Sequence, residues 1–292
     1  MPSPVVVVGD VATDVVAVLA GEPAPGSDRP ARIVSRGGGA GANVAVHLAR
    51  MGAHVVLAGC VGEDAAGAGL TAELAAAGVE LRVRTVPGAA TGTIVSLVEP
   101  DGQRSMLADR GANLALRPAD VPTPAPGGHL HLSGYTLLDP GPRDAGLAAL
   151  RAAAGAGCTV SVDPASTGPL RGYGVDRWLA DTAAATLVLP NADEARLLTG
   201  CADVTEAARA LAARHPVAVV TLGAEGALWA AGDEIVHRPA RPATVVDTTG
   251  AGDAFAAGLL AAWLGSPHPS PTAALDAGLA CAAEVVHRPG AR

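Results

Sequence analysis

The sequence predicts a doubly wound α/β fold, with a mostly parallel sheet and a small inserted β-sheet, and three observations carry the prediction. Short β-branched runs such as the four valines at 5–8 end in Gly or Asp, as buried parallel strands do where they empty into loops. Such runs alternate with alanine- and leucine-rich helical stretches almost to the end of the chain. Two hairpin-like pairs interrupt the alternation: 15–18 with 31–34 around GEPAPGSDRP, and 93–98 with 104–108 around Pro100-Asp101-Gly102. The two hairpins would combine into a lid formed by about residues 15–36 and 91–109. No repeat or low-complexity linker divides the chain, so residues 1–292 read as a single domain.

Composition excludes several functions. The 292 residues are 49% apolar and 16% charged, with net charge −8. All 20 basic residues are arginine, so a GxxxxGK[ST] phosphate loop and Schiff-base chemistry, which both need an ammonium side chain, are ruled out. Acidic balance and an aromatic content of 2% argue against nucleic acid as a partner. Cys60, Cys158, Cys201 and Cys281 lack CxxC or CxxH spacing, which suggests reduced thiols rather than zinc or disulfides. Met1-Pro2-Ser3-Pro4 runs straight into the valine strand with no basic leader, and no apolar run is long enough to span a bilayer. A cytoplasmic protein without a membrane partner is expected.

In chain order, strand 5–8 delivers Asp10 and Asp14 to its carboxyl end, where ligands of open α/β sheets bind; the alternative is a pair of solvated loop acids. Arg36-Gly37-Gly38-Gly39-Ala40-Gly41-Ala42-Asn43 leads into a helix at 44–51 and a strand at 53–58. Gly39 and Gly41 permit close backbone approach, and Asn43 offers both a donor and an acceptor. A dinucleotide fingerprint fails here, because its third glycine position is Val44. Further helices are expected at 64–77, 143–154 and 272–286, and strands at 79–83, 128–132, 159–162, 186–189 and 217–221. His129 and His131 read as strand histidines rather than metal ligands, since no third ligand lies at suitable spacing. Asn191 and Glu194 start a helix as a capping box, or orient magnesium through water. Thr221, Gly223 and Gly226 form a turn that suits a nucleotide but needs none.

The central stretch is VVDTTGAGDAFAAGLLAAWL at 245–264, read as an apolar strand end, a glycine turn and an apolar helix. Gly250, Ala251 and Gly252 would turn helix-start amides toward an anion, with Asp253 beside it. A carboxylate next to a phosphate reads as the base for a phosphate-accepting hydroxyl, or more simply as a helix cap.

Taken together, GGGAGANVAVHLARMG at 37–52 and DTTGAGDAFAAGLL at 247–260 resemble the signature regions of the ribokinase, or PfkB, family of carbohydrate kinases. Asn191/Glu194, Thr221-Leu222-Gly223 and Gly111-Ala112-Asn113 fall in the expected order between them, and the likeness covers nearly the whole chain. The resemblance implies a ribokinase-like fold and transfer of the ATP γ-phosphoryl group to a sugar hydroxyl. By similarity, Asp253 is the base, and Gly250, Ala251 and Gly252 form the anion hole. Asn191 and Glu194 support Mg²⁺ and ATP, and Thr221, Gly223 and Gly226 line the nucleotide. Asp14, Gly39, Gly41, Asn43 and Asp10 hold sugar hydroxyls. Asp247 and Thr249 match positions that contribute to a monovalent cation site, for which K⁺ is the expected ion. Relatives often dimerise through the lid, which makes a homodimer the expected assembly.

Ala40 stands where ribokinases commonly have lysine, against a strict D-ribose assignment. A neutral sugar is the first expectation. A nucleoside is the alternative, although neither hairpin contains an aromatic ring to stack on a base. Arg29, Arg32, Arg36, Arg104 and Arg110 keep a sugar phosphate or sugar acid open if one of them faces the cleft. A sugar-binding sensor on the same fold is the non-enzyme alternative.

Overall fold

The structure, a computed structural model, describes residues 4–22, 26–99, 104–266, 270–287 and 290–291. The Pro100-Asp101-Gly102 turn lies outside the described residues. The strands are β1 (Val5–Val8), β2 (Ala12–Leu19), β3 (Ala31–Gly38), β4 (Val55–Gly62), β5 (Glu80–Val86), β6 (Gly92–Val98), β7 (Arg104–Asp109), β8 (His129–Ser133), β9 (Thr159–Asp163), β10 (Leu187–Val188), β11 (Val217–Thr221), β12 (Ala227–Ala231) and β13 (Glu234–Arg238). The α-helices are α1 (Ala40–Arg50), α2 (Ala65–Ala76), α3 (Tyr135–Leu138), α4 (Pro140–Gly155), α5 (Thr167–Tyr173), α6 (Val175–Asp181), α7 (Ala192–Thr199), α8 (Val204–Ala212), α9 (Ala251–Leu264) and α10 (Pro271–Val285).

Nine strands form the large sheet, in the order β13-β12-β11-β10-β9-β8-β1-β4-β5. Pairing is parallel from β5 through to β11 and antiparallel from β11 to β13. The valine run of β1 explains its central place. Val6 and Val8 enter one buried cluster with Leu130, Leu137, Leu150 and Trp178, while Val5 and Val7 enter the other with Leu48, Leu57, Phe255 and Leu259. Alternate side chains therefore supply two cores, one under α3 to α8 and one under α1, α2, α9 and α10, which is the doubly wound arrangement.

The two hairpins do form a second sheet, ordered β3-β2-β6-β7. Its inner pair β2 and β6 is parallel, because the chain passes through α1, β4, α2 and β5 between them, and only the outer pairs are antiparallel. This small sheet carries apolar side chains outward: Val18 is 45% exposed, Ile33 64%, and Met106 and Leu107 59% each. Among the described residues no helix is long and apolar enough to cross a membrane.

Several boundaries differ from the sequence reading. Helix α1 starts at Ala40 rather than 44, because Gly37 and Gly38 finish β3 and Gly39 is the N-cap. Val245 and Val246 are not a strand end. They are 61% and 58% exposed, and the amides of Val246 and Asp247 bond to the Val286 carbonyl after α10 instead of to a neighbouring strand. Pro239 and Pro242, each without an amide donor, follow β13 and end the ladder there. Strands β12 and β13 and helices α3, α5, α6 and α8 lie outside the sequence reading.

Candidate active site

The parallel strands empty at one edge of the large sheet, and the candidate residues gather there. Gly250 caps α9 with φ 74°, a left-handed conformation, and a Cβ at this position would lie 2.3 Å from Cβ of Ala291. No other residue type meets both conditions without strain. The turn closes with the Ala251 amide donating to the Thr248 carbonyl at 3.2 Å, and Asp253 occupies the first turn of the helix. Helix-start amides have no intrahelical acceptor and sit at the positive end of the helix dipole.

Across the cleft, α1 brings Asn43 to the same point. Its Nδ2 donates to Oδ2 of Asp253 at 2.7 Å, joining residues 210 positions apart. The glycine run has a structural cause as well: a Cβ on Gly39 would come 2.4 Å from the Asp10 carbonyl oxygen, and one on Gly41 would come 2.7 Å from Cα of Gly9. The start of α1 thus lies directly against the β1 to β2 connection. Asp14 is buried on β2, opposite Arg36 of β3, with its carboxylate over Gly38.

Asp10 is engaged on both oxygens. Arg110 Nε donates to Oδ2 at 2.8 Å and Nη2 to Oδ1 at 2.6 Å, while Nη1 reaches Oδ2 of Asp139 at 2.5 Å and the Tyr135 carbonyl at 2.9 Å. Asn113 adds two bonds to the backbone of Val11, accepting from its amide and donating to its carbonyl, both at 2.9 Å. The chain leaving for the small sheet at Asp10-Val11 and the chain returning at Arg110 to Asn113 are fastened together.

Asp253 lines a polar cavity of about 160 Å³ with Asp163, Asn191, Glu194, Thr221, Gly252 and Phe255. A second cavity of about 840 Å³ shares Asn191, Thr221, Gly252 and Phe255 with it. This larger space is walled by Leu222, Gly223, Gly226, Thr248 and Ala251 and by Leu279, Ala283 and Val286 at the end of α10. It is mostly apolar, suited to a flat heterocycle, and the smaller cavity is polar, suited to charged groups.

The capping box is present in full: Asn191 Oδ1 accepts from the Glu194 amide, and Glu194 Oε2 accepts from the Asn191 amide, both at 2.9 Å. Glu194 is nonetheless buried, and burial first, then the neighbouring Asp163, push its carboxyl well above the ordinary range. Burial raises Asp163 too, against a hydrogen bond from the Ala165 amide. Two carboxyls that share one cavity resist ionising together, and a divalent cation would favour both charged forms, so this donor set fits a divalent metal. Asp247 has a scaffolding task, accepting from the amide and hydroxyl of Thr249 at 2.9 and 2.7 Å and from the Gly290 amide at 2.9 Å. His129 and His131 bond Thr159 and Ser161 inside the sheet, as strand histidines. Among the described residues no group of three or more His, Cys, Asp and Glu could hold a metal.

Asp163, the Arg110 and Asp139 pairing and the apolar wall from α10 were not singled out from the sequence. Asp163 ends a parallel strand as Asp10 nearly does, so the same strand-end rule reaches it. The α10 wall is alanine and leucine in an ordinary helix and carries no local signal.

Residues 3–292 match the pfkB family carbohydrate kinase profile. The chain is 36% identical over 265 residues to a fructokinase of Klebsiella pneumoniae, covering 87% of this chain and 86% of that protein. It is 34% identical over 278 residues to an ATP-dependent ribose-1-phosphate kinase of Halopiger xanaduensis, covering 92% and 87%. The crystal structure of adenosine kinase from Sinorhizobium meliloti superposes with a TM-score of 0.89 at 25% identity, over 100% of this chain and 96% of that one. With the match running from one end to the other, the chain belongs to the pfkB family of carbohydrate kinases and is an ATP-dependent phosphotransferase acting on a sugar or a nucleoside.

Proposed function

We propose that the enzyme phosphorylates a hydroxyl of a small neutral sugar, with Asp253 as the general base. The observation that carries this reading is the place of Asp253, bonded to Asn43 on the acceptor side and lining the polar cavity that opens into the large apolar one. Adenine and ribose of ATP occupy the large cavity against Thr221, Gly223, Gly226 and the α10 wall, with Asn191 at the junction. The amides of Gly250 and Gly252 donate to the γ-phosphoryl oxygens, joined by that of Ala251 once it leaves the Thr248 carbonyl. As the acceptor oxygen bonds to the γ-phosphorus and the bond to the ADP oxygen breaks, the hydroxyl proton passes to Asp253. Alignment and amide dipoles do most of the work in such a loose transition state, and no lysine is required.

Glu194, with Asp163 beside it, would hold Mg²⁺ through water, and the ion would supply neutralisation of the transferring phosphate charge. Asp247 and Thr249 would contribute to a site for a monovalent cation such as K⁺, which would order the loop before Gly250. Asp14, Gly39, Gly41 and Asn43 border the acceptor. Asp10 is better read as part of the Arg110 clamp than as a sugar ligand, since both its oxygens already accept from that guanidinium.

One feature of the cleft supports this acceptor class. Arg110, one of the arginines that could have received an acidic acceptor, is spoken for by Asp10 and Asp139. A neutral sugar agrees with this and with the fructokinase likeness. A nucleoside is the second reading, favoured by the adenosine kinase superposition. The exposed apolar residues of the small sheet support a homodimer through that sheet, and a cytoplasmic site of action fits an ATP-dependent enzyme.

ATP consumption with Mg²⁺ and K⁺ across pentoses, hexoses, sugar acids, sugar phosphates and nucleosides tests the acceptor class. We expect turnover with a neutral sugar. A nucleoside as the best substrate would replace that assignment, and binding without turnover anywhere in the panel would favour a sensor.

A further inference from the structure

Asn43 and Asp253 occupy the first turns of α1 and α9, two helices on the same face of the large sheet. The Asn43 side chain is buried, and its contact with Asp253 fixes which way the amide points. A carboxylate only accepts, so the amide nitrogen must face it and the amide oxygen must face away. That oxygen is buried and finds no partner among the described residues. A buried carbonyl left unbonded is unfavourable, so its place in the cleft suits a donor that arrives with a ligand.

We propose that Asn43 is a positioning residue for the chemical step: its Nδ2 holds the Asp253 carboxylate in the orientation that takes the acceptor proton. Its Oδ1 meanwhile receives a second hydroxyl of the same acceptor. One side chain thereby links occupancy of the acceptor site to alignment of the base. The inference rests on reading Asp253 as the base and adds to it a residue that acts through that base, not only by contact with the sugar.

The test uses Asn43→Asp and Asn43→Ala, each alone and combined with Asp253→Asn. The aspartate variant keeps an accepting oxygen but sets a second carboxyl against Asp253, where the two share a proton, so Asn43→Ala and its combination with Asp253→Asn isolate the loss of the donor. We expect both single variants to lower kcat about 30- to 100-fold, with the acceptor KM of Asn43→Asp changed less than about threefold. In the Asp253→Asn background, followed by single-turnover phosphate transfer, loss of Asn43 should cost less than about twofold more, because its target is already gone. Near-normal kcat in Asn43→Asp, an effect confined to KM, or an undiminished loss in the Asp253→Asn background would each overturn the proposal. Thermal unfolding and ATP-analogue affinity check that the variants are folded. Should the second carboxylate disrupt the helix pair, Asn43→Ala carries the test. Failure of the base assignment is seen separately, as turnover retained by Asp253→Asn alone.

Discussion

Arg110 shows how a charge in a cleft is decided by its partners and not by its type. Its side chain is 10% exposed and that of Asp10 is 13% exposed, so the bidentate pair is largely withdrawn from water. Removing one member of such a pair leaves the other charge buried and uncompensated. Arg110→Ala should lower stability by about 3 kcal/mol, read as a shifted urea midpoint at unchanged slope. A loss below about 0.5 kcal/mol would mean that the pair is effectively solvated. The sequence showed Arg110 only as one of five arginines near the hairpins. Its partners are 100 and 29 positions away, and no local pattern marks either of them. Asp253 was legible for the opposite reason, since the turn, the helix start and the carboxylate are all within a few residues of one another.

Strands β8 and β9 carry a polar row through the buried middle of the large sheet. His129 bonds Thr159 and Ser161, and His131 bonds the same Ser161, each at 2.8 Å. Burial lowers both imidazoles from the ordinary 6.5, His129 to about 3 and His131 to about 4. Since the folded values lie below the unfolded one, the unfolded chain takes protons first. Stability is fully present above pH 6.5 and falls as pH drops toward 4, by about 3 kcal/mol for His131 alone. His131→Gln should therefore show a shallower loss of Tm between pH 7 and 4.5; parallel curves for the two proteins would contradict the assignment. Strong elements such as β1 and α10 were legible because their apolar runs are long or clean. Strands β12 and β13 were not, being short, alanine-rich and charged. The apparent strand at Val245-Val246 was misread because β-branched composition says nothing about whether a partner strand lies alongside.

The connections between the small sheet and the large one are held by several side-chain hydrogen bonds, from Arg110 to Asp10 and from Asn113 to the Val11 backbone. Asp64 adds to this, accepting from the Thr91 hydroxyl and amide at 2.6 and 2.7 Å where the chain enters β6. One face of the small sheet, by contrast, leaves Ile33 and Leu107 more than half exposed. Pairing of two such faces would cover them, so sedimentation should find a dimer that Ile33→Arg with Leu107→Glu converts to monomer; a wild-type monomer at micromolar concentration would remove that expectation. Asp253 is the residue on which the proposed chemistry turns. The measurement that tests it most directly is phosphoryl transfer by Asp253→Asn to the best acceptor, beside wild type and with ATP affinity measured in both. We predict turnover reduced at least about a thousandfold with ATP binding nearly unchanged. Turnover within about tenfold of wild type would contradict the base assignment and the mechanism built on it.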